Sequence, residues 1–161
     1  MVFYFLLWYY FPMRDDEYFM KIALEEAVAA MESGEVPVGA VITMEGKELA
    51  RAHNSPVQMK DPTAHAEILA IRKVADITGN YRLTGTTIYV TIEPCIMCAG
   101  AISHARISRL VFGATDPKGG ALSLYGMLGD KKLNHSVAVT GGILEEECGK
   151  ILSRFFREKR I

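Results

Sequence analysis

The fold of this chain is decided by two stretches, Asp61-Pro62-Thr63-Ala64-His65-Ala66-Glu67 and Glu93-Pro94-Cys95-Ile96-Met97-Cys98. In each stretch a proline precedes the start of a predicted helix, where its missing N–H group costs no helical hydrogen bond. Cys95 and Cys98 are spaced so that their sulfurs lie on one side of a helix. Alone, this spacing is equally typical of a redox pair. With His65 added, the three side chains match a zinc site that leaves a fourth position for water, as catalytic zinc requires.

Glu67 follows His65 by two residues and is predicted to move protons instead of binding the metal. Zinc lowers the pKa of a bound water toward neutrality, and a carboxylate beside it can accept the proton and pass it on. Taken singly, His65 is also compatible with a local hydrogen bond, and Glu67 with a first-turn acid that complements the helix dipole. The combined pattern, His-x-Glu followed by Pro-Cys-x-x-Cys, resembles that of zinc-dependent nucleobase deaminases, which replace a ring amino group by a carbonyl oxygen.

The rest of the chain alternates between helical and strand patterns. A helix after Asp16 is predicted to end at Gly34, a second runs from Pro62 to Gly79, a third opens at Pro94, and the last covers 144–159. Alternating or continuous apolar residues predict strands at 38–44, 47–54, 86–91, 109–113 and 136–140, the first two joined as a hairpin. This order predicts an α/β protein, a three-layer α/β/α sandwich with a mixed five-stranded sheet.

Length and composition indicate a single domain. The 161 residues are 50% hydrophobic, and 18 basic against 19 acidic residues leave a net charge of -1. This balance argues against a generally basic protein that coats nucleic acid. Three cysteines are too few for a secreted disulfide framework, and a C-x-x-C pair suits a metal in a reducing cytosol, so we expect a cytoplasmic protein.

Residues 1–12 form an apolar extension before the expected domain, residues 13–161. The extension is about half as long as a membrane span, and it lacks the basic start and cleavage site of a signal peptide. Its simplest interpretation is a misassigned start before Met13. A real extension that packs on a partner, or a weak membrane anchor, is the alternative, and we expect no membrane span.

From residue 13 onward the sequence is similar to bacterial tRNA-specific adenosine deaminases. The stretches that carry the resemblance are 35–41, Asn54, 61–68, 81–83, 89–101, 111–114, Asp116, 134–135 and 155–157. The resemblance implies a cytidine-deaminase-like fold, one Zn²⁺ per chain, a homodimer, and conversion of adenosine to inosine at the wobble position of a tRNA anticodon stem-loop. The loop 116–123 is one residue shorter than the family pattern.

The resemblance also implies a set of substrate contacts. Asn54 is expected to contact the flipped nucleotide, and Asp116 to lie near the flanking nucleotide. The base pocket is expected to be walled by the residues around Val36, Pro37 and Ile92. On local grounds alone, Asn54 and Asp116 are also compatible with ordinary turn residues.

The end of the chain combines aromatic rings with positive charge. The rings of Phe155 and Phe156 lie beside Arg157, in a tail that also carries Lys150, Arg154, Lys159 and Arg160. Stackable rings and cations suit an RNA loop with splayed bases, so Phe155 and Arg157 are predicted to contact RNA. A solvated helix end is the alternative, because cations are favourable at a helix C-terminus. Cys148 is predicted to be a buried thiol of this helix.

Two other functions are compatible with the metal motif. The first is a free-base or nucleotide deaminase, acting on guanine or cytosine, which would use the same zinc and the same glutamate. The second is a structural zinc module or an inactive RNA-binding homologue. A structural site is expected to carry four protein ligands and has no use for Glu67.

Overall fold

The computed structural model describes residues 15–129 and 133–159. The described elements are α1 (Asp16–Glu32), β1 (Gly39–Met44), β2 (Lys47–His53), α2 (Pro56–Met59), α3 (Ala66–Thr78), β3 (Thr86–Ile92), α4 (Ile96–His104), β4 (Arg109–Ala114), α5 (Ala121–Tyr125), β5 (Ala138–Thr140) and α6 (Glu145–Glu158). The predicted apolar extension, residues 1–12, lies outside the described residues. No described helix is long and apolar enough to cross a membrane.

The five strands form one mixed sheet in the order β2-β1-β3-β4-β5. β1 pairs antiparallel with both β2 and β3, whereas β3, β4 and β5 run parallel to one another. The central strands β3 and β4 are buried along most of their length, as expected for parallel strands covered on both faces. The predicted mixed five-stranded sheet is therefore confirmed.

Alternate residues of the sheet pack into two separate cores. Ile42, Ile88 and Leu110 belong to the core that includes the apolar faces of α3 and α4. Their neighbours Val41, Tyr89 and Val111 point the other way, into a core with Phe19 and Met20 of α1 and Cys148 of α6. Because successive strand residues face opposite sides, one sheet carries helices on both faces, and the predicted three-layer sandwich is confirmed.

The helix that carries Glu67, α3, begins later than the sequence predicts. The helix expected from Pro62 begins at Ala66, because Asp61 closes a turn by accepting hydrogen bonds from the N–H group and the hydroxyl of Thr63. The short helices α2 and α5 were not predicted, since four or five residues are too few to show a helical period. The last strand begins at Ala138, two residues after the predicted start.

A partly buried ion pair joins α1 to three strands. Two nitrogens of Arg109 donate to the two oxygens of Asp16 at 2.7 Å each, and the second also donates to Thr140 at 3.0 Å. The hydroxyl of Tyr89 donates to Asp16 at 3.1 Å. The hydrogen bond from Arg109 lowers the pKa of Asp16 below its ordinary value of 3.8, more than burial raises it. Burial, with the charge of Asp16 added, raises the pKa of Tyr89 to about 12.

We expect Asp16→Asn to lower the free energy of unfolding by about 1–2 kcal/mol at pH 7, because charge-assisted hydrogen bonds are lost at a partly exposed site. The pKa of Asp16 is lower in the folded chain than in the unfolded chain, so the ion pair stabilises the fold above the ordinary value of 3.8 and loses that effect as pH falls through the folded-state pKa. Denaturant titrations of parent and variant at pH 7 and pH 3 measure the difference. An equal difference at both pH values would contradict the assignment, since metal release in acid affects both proteins alike.

Candidate metal centre and active site

His65 and Cys95 occupy equivalent positions at the starts of two helices. His65 is the N-cap residue of α3 and Cys95 that of α4, and both have extended backbones, with φ and ψ of −75° and 153° and of −72° and 172°. Cys98 follows within the first turn of α4 and is buried. An N-cap residue and the third helical residue lie on one side of a helix start, so both sulfurs of α4 face the imidazole of α3.

The three side chains converge at distances that fit a zinc ion. Nδ1 of His65 lies 3.7 Å from Sγ of Cys95 and 3.6 Å from Sγ of Cys98. In a tetrahedral site with Zn–S near 2.3 Å and Zn–N near 2.0 Å, a nitrogen and a sulfur are about 3.5 Å apart. Within the described residues the metal cluster has these three members and their ligand atoms lie within 4.8 Å of one another. The predicted cluster of His65, Cys95 and Cys98 therefore forms.

The polar contacts of the metal cluster favour an anionic sulfur. The hydrogen bond with Cys98, reinforced by His65, lowers the pKa of Cys95 to about 4. The same bond, in which Cys98 is the donor, raises the pKa of Cys98, and burial raises it further. The hydrogen bond with Cys95 raises the pKa of His65. A metal ion replaces the shared proton when it binds, because coordinating thiols are deprotonated.

Glu67 lies in the first turn of α3 and is 3% exposed. Burial raises its pKa, and the nearby charge of His65 offsets this only in part. Glu67 lines the same cavity as His65 and Cys95 but is not a member of the metal cluster. A buried carboxyl group with a raised pKa beside a metal site is a candidate for proton transfer.

An open cavity of about 1030 Å³ leads to the metal cluster. Its polar inner lining is formed by Asn54, His65, Glu67, Glu93 and Cys95, and its apolar lining by Val36, Val38, Pro56, Ile92 and Leu152. Its outer part also includes Ser153 and four half-buried or exposed residues, which we call the rim: Asp116, Lys118, Phe156 and Arg157. The cavity therefore runs from buried acid and metal ligands to exposed cations and a ring.

Most of the predicted substrate residues line this cavity, but two do not. Val36, Asn54, Ile92, Asp116 and Arg157 are part of the lining. Pro37 is buried outside it, between two valines that do line it.

Phe155 is also outside the cavity lining and is only 7% exposed, so as placed it offers no free face to a base. The exposed ring at the rim is Phe156, 47% exposed. Adjacent helical residues point about 100° apart, and the α6 residues that face the cavity are spaced by four: Leu152 with Phe156, and Ser153 with Arg157. Nothing in the sequence distinguished the two rings, because this spacing identifies Phe156 only once the cavity-facing side of α6 is known.

Asn54 supports the helix that carries the acid. Its Oδ1 accepts a hydrogen bond from the N–H group of Ala66 at 2.8 Å, which satisfies a free backbone donor at the start of α3. Asn54 is 6% exposed and also lines the cavity. It is thus a cap for the helix of His65 and Glu67, and its contact with the nucleotide stays a prediction.

The sandwich fold, the His/Cys/Cys cluster and the adjacent buried carboxyl group define the class of zinc-dependent deaminases. The family model of the cytidine and deoxycytidylate deaminase zinc-binding region matches residues 13–114. The tRNA-specific adenosine deaminase of Bacillus subtilis (strain 168) is 50% identical over 149 residues, 92% of each chain. That of Haemophilus influenzae is 50% identical over 147 residues, 90% of this chain and 85% of the relative. The chain belongs to the family of tRNA-specific adenosine deaminases.

Solved structures share the fold of this chain. A tRNA:A34 deaminase studied for A-to-I editing at the wobble position of transfer RNA is 47% identical, with a TM-score of 0.80 over 83% of this chain and 98% of that chain. A guanine deaminase from Bacillus subtilis is 30% identical, with a TM-score of 0.62 over 91% of this chain and 95% of that chain. The fold is shared by both, and the identity is higher to the enzyme that acts on tRNA.

Proposed function

We propose that this protein converts adenosine to inosine at the wobble position of a tRNA anticodon. The observation that carries the proposal is the placement of Glu67, a buried acid of raised pKa, beside a three-ligand metal cluster in one open cavity. The choice of substrate is supported by the relatives, which are tRNA-specific adenosine deaminases at 43–50% identity.

The chemistry assigns Glu67 the transfer of both protons of the attacking water. Zinc, when bound by the metal cluster, supplies a Lewis acid that makes water acidic near neutral pH. The ionised carboxylate of Glu67 accepts a proton from the attacking water and delivers it to the ring nitrogen next to the reacting carbon. It then carries the second water proton to the departing amino group. Adenosine and water are consumed, and inosine and ammonia are formed.

The raised pKa suits this exchange, because a group that both takes and gives a proton works best with a pKa near the working pH. A second acid in the lining, Glu93, is not free for the role. Both of its carboxylate oxygens accept hydrogen bonds from the loop 116–123. Glu67 is thus the buried carboxylate of the lining that remains available.

Glu67→Gln should keep its zinc and lose at least about a hundredfold in turnover, because the proton carrier is removed while all three ligands remain. Zinc is measured by elemental analysis, and inosine by sequencing a transcribed tRNA with adenosine at the wobble position.

Two cysteine variants separate loss of the acid from loss of the metal. Cys95→Ser should lose zinc and activity together, whereas Cys148→Ala, at a buried cysteine outside the metal cluster, should keep both in the folded protein. Near-parental turnover in Glu67→Gln, or loss of its zinc, would contradict the assigned role.

The outer cavity favours RNA over a small substrate. The volume of the whole cavity, about 1030 Å³, is at the upper end of cavities that hold one small molecule. The rim offers the exposed ring of Phe156 for stacking, together with the cations Lys118 and Arg157 for phosphates. Phosphate contacts are expected outside the base pocket, because the flipped nucleotide keeps its connection to the strand.

Arg157→Ala should weaken binding of an anticodon stem-loop several-fold and reduce the slope of log affinity against log salt by about 0.7–1, the effect of one phosphate contact. The matched control is Arg154→Ala on the same helix, because Arg154 pairs with Glu158 at 2.9 Å and does not line the cavity. Fluorescence anisotropy across a salt series, with Glu67→Gln in every protein to stop turnover, gives both values. Equal slopes for the two arginine variants would count against RNA contact by Arg157.

A free-base deaminase is the second candidate, because the guanine deaminase of Bacillus subtilis shares the fold at 30% identity. It is less well supported than the tRNA enzyme, since the identity is lower and the rim combines two cations and an exposed ring with one carboxylate. Assays of free guanine and cytosine beside the stem-loop distinguish the two. A structural zinc module is disfavoured by the three-membered metal cluster and by the buried acid next to it.

We also propose that the protein is a homodimer that acts in the cytoplasm, where a thiolate metal site stays reduced. Gly100 on α4 faces open space, with nothing within 4 Å of an added Cβ, although Ala99 and Ile102 beside it are buried. Large apolar side chains at Ile96 of α4 and at Leu124 and Tyr125 of α5 are exposed in the single chain. Exposed apolar groups of this size are typical of subunit interfaces.

Light scattering at micromolar concentration should give twice the chain mass of 17.8 kDa for the parent. Leu124→Glu should shift the mass toward the monomer, because a charge is costly in a buried interface. Ile77→Glu is the control, since Ile77 is also an exposed apolar residue, 65% against 46% for Leu124, but lies at the far end of α3 from the metal cluster. A parent of monomer mass, or a dimer unaffected by Leu124→Glu, would refute this interface.

A further inference from the structure

Glu93 is a buried acid that the proton chemistry does not use. It lies two residues before Cys95, is 2% exposed and lines the cavity. Its Oε2 accepts from the N–H group of Asp116 at 3.0 Å and from the hydroxyl of Ser123 at 2.6 Å, and its Oε1 accepts from the N–H group of Ser123 at 2.6 Å. One carboxylate therefore binds both ends of the loop 116–123, whose last three residues form the start of α5.

Between these two ends, the same loop also packs against Glu93 and against the turn of Pro94 and Cys95. A Cβ added at Gly120 would overlap the Glu93 carboxylate, so the close approach depends on a glycine at that position. The N–H group of Ala121 donates to the carbonyl of Pro94 at 2.9 Å, and Gly120 forms a β-bridge with Cys95. The loop is thus fastened to the residues on either side of Pro94.

Two of the four rim residues lie on this loop. Asp116 is held through its own N–H group by Glu93, and its Oδ1 accepts from the N–H group of Lys118 at 2.9 Å. The carbonyl of Asp116 accepts from Gly120 at 2.9 Å, which closes the turn. A shift of the Glu93 carboxylate would move Asp116 directly and Lys118 through it, while leaving Phe156 and Arg157 on α6 in place.

We propose that Glu93 is a positioning residue for RNA recognition: it fixes the loop 116–123 so that Asp116 and Lys118 meet the nucleotides that flank the reacting base. Glu93 acts through the loop and not on the base, because its oxygens are occupied by three donors. This inference rests on the proposed tRNA substrate for its effect on affinity. The ordering of the loop by Glu93 is independent of that substrate.

The decisive variant is Glu93→Gln, which keeps the shape of the side chain but puts an NH₂ group against donors of the loop. Hydrogen exchange of the amides of Asp116 and Ser123 should accelerate by about tenfold or more, because charge-assisted hydrogen bonds are lost. With Glu67→Gln also present, the Kd for an anticodon stem-loop should rise by about tenfold. In the active enzyme KM should rise by a larger factor than kcat falls, and zinc content should stay at one per chain.

Two further variants test the same contact and control for a general loss of stability. Ser123→Ala removes one of the three donors and should change the amide exchange and the Kd in the same direction by smaller factors. This variant also provides the test if Glu93→Gln folds poorly. Asp16→Asn lowers the stability of the fold at a distant ion pair, so it should leave the exchange of loop 116–123 and the Kd unchanged.

Unchanged exchange of the loop in both Glu93→Gln and Ser123→Ala would overturn the proposal. Faster exchange with parental Kd and KM would overturn the link to RNA recognition, and loss of zinc in the folded Glu93→Gln protein would show that Glu93 serves the metal turn instead. A parent that binds and deaminates no stem-loop would refute the tRNA substrate, and the exchange result would then still decide whether Glu93 orders the loop.

Discussion

The structure depends on two helix starts that face each other. Without a metal ion, the polar first turns of α3 and α4 would place an imidazole, two sulfurs and a carboxyl group together in a poorly solvated space. Helix starts also concentrate unpaired N–H groups and a positive dipole end, which favours thiolates. The parallel strand β3 delivers Cys95 to this point, and the turn closed by Asp61 delivers His65. The sheet and both cores serve to hold these two starts in register.

Two glutamates in one cavity have opposite roles because their surroundings differ. Burial raises the pKa of Glu67, which keeps this acid able to take and release a proton. Burial also tends to raise the pKa of Glu93, but hydrogen bonds from the loop 116–123, chiefly from Ser123 and Asp116, outweigh it and lower that pKa. Glu93 therefore stays charged and holds a loop. The two side chains are almost equally inaccessible to solvent, at 3% and 2% exposed, but Glu93 is surrounded by hydrogen-bond donors of the loop 116–123 and Glu67 is not.

The sequence was sufficient for features with a short-range cause. His65, Glu67, Cys95 and Cys98 follow from spacing, and the strands follow from apolar patterns that the sheet then buries. Features that depend on contacts between distant segments were not predictable. Phe155 and Phe156 are chemically identical neighbours, and only the packing of α6 on β4 decides which ring is exposed. Glu93 stands two residues before Cys95 in the sequence, but its hydrogen-bond donors lie 23 and 30 residues away. Its role therefore could not be predicted from the motif.

The metal cluster also acts as a cross-link between distant parts of the chain. Its imidazole and its nearer thiol are 30 residues apart, with the whole of α3 and the whole of β3 between them. Closing a loop of that length removes conformational freedom from the unfolded chain in the same way as a disulfide, which in the chain-entropy description contributes about 3–4 kcal/mol. In a reducing compartment, where a disulfide would not persist, an ion held by two thiolates and an imidazole supplies that constraint instead. The enzyme's reactive centre is then also one of the fastenings that hold its folded state together.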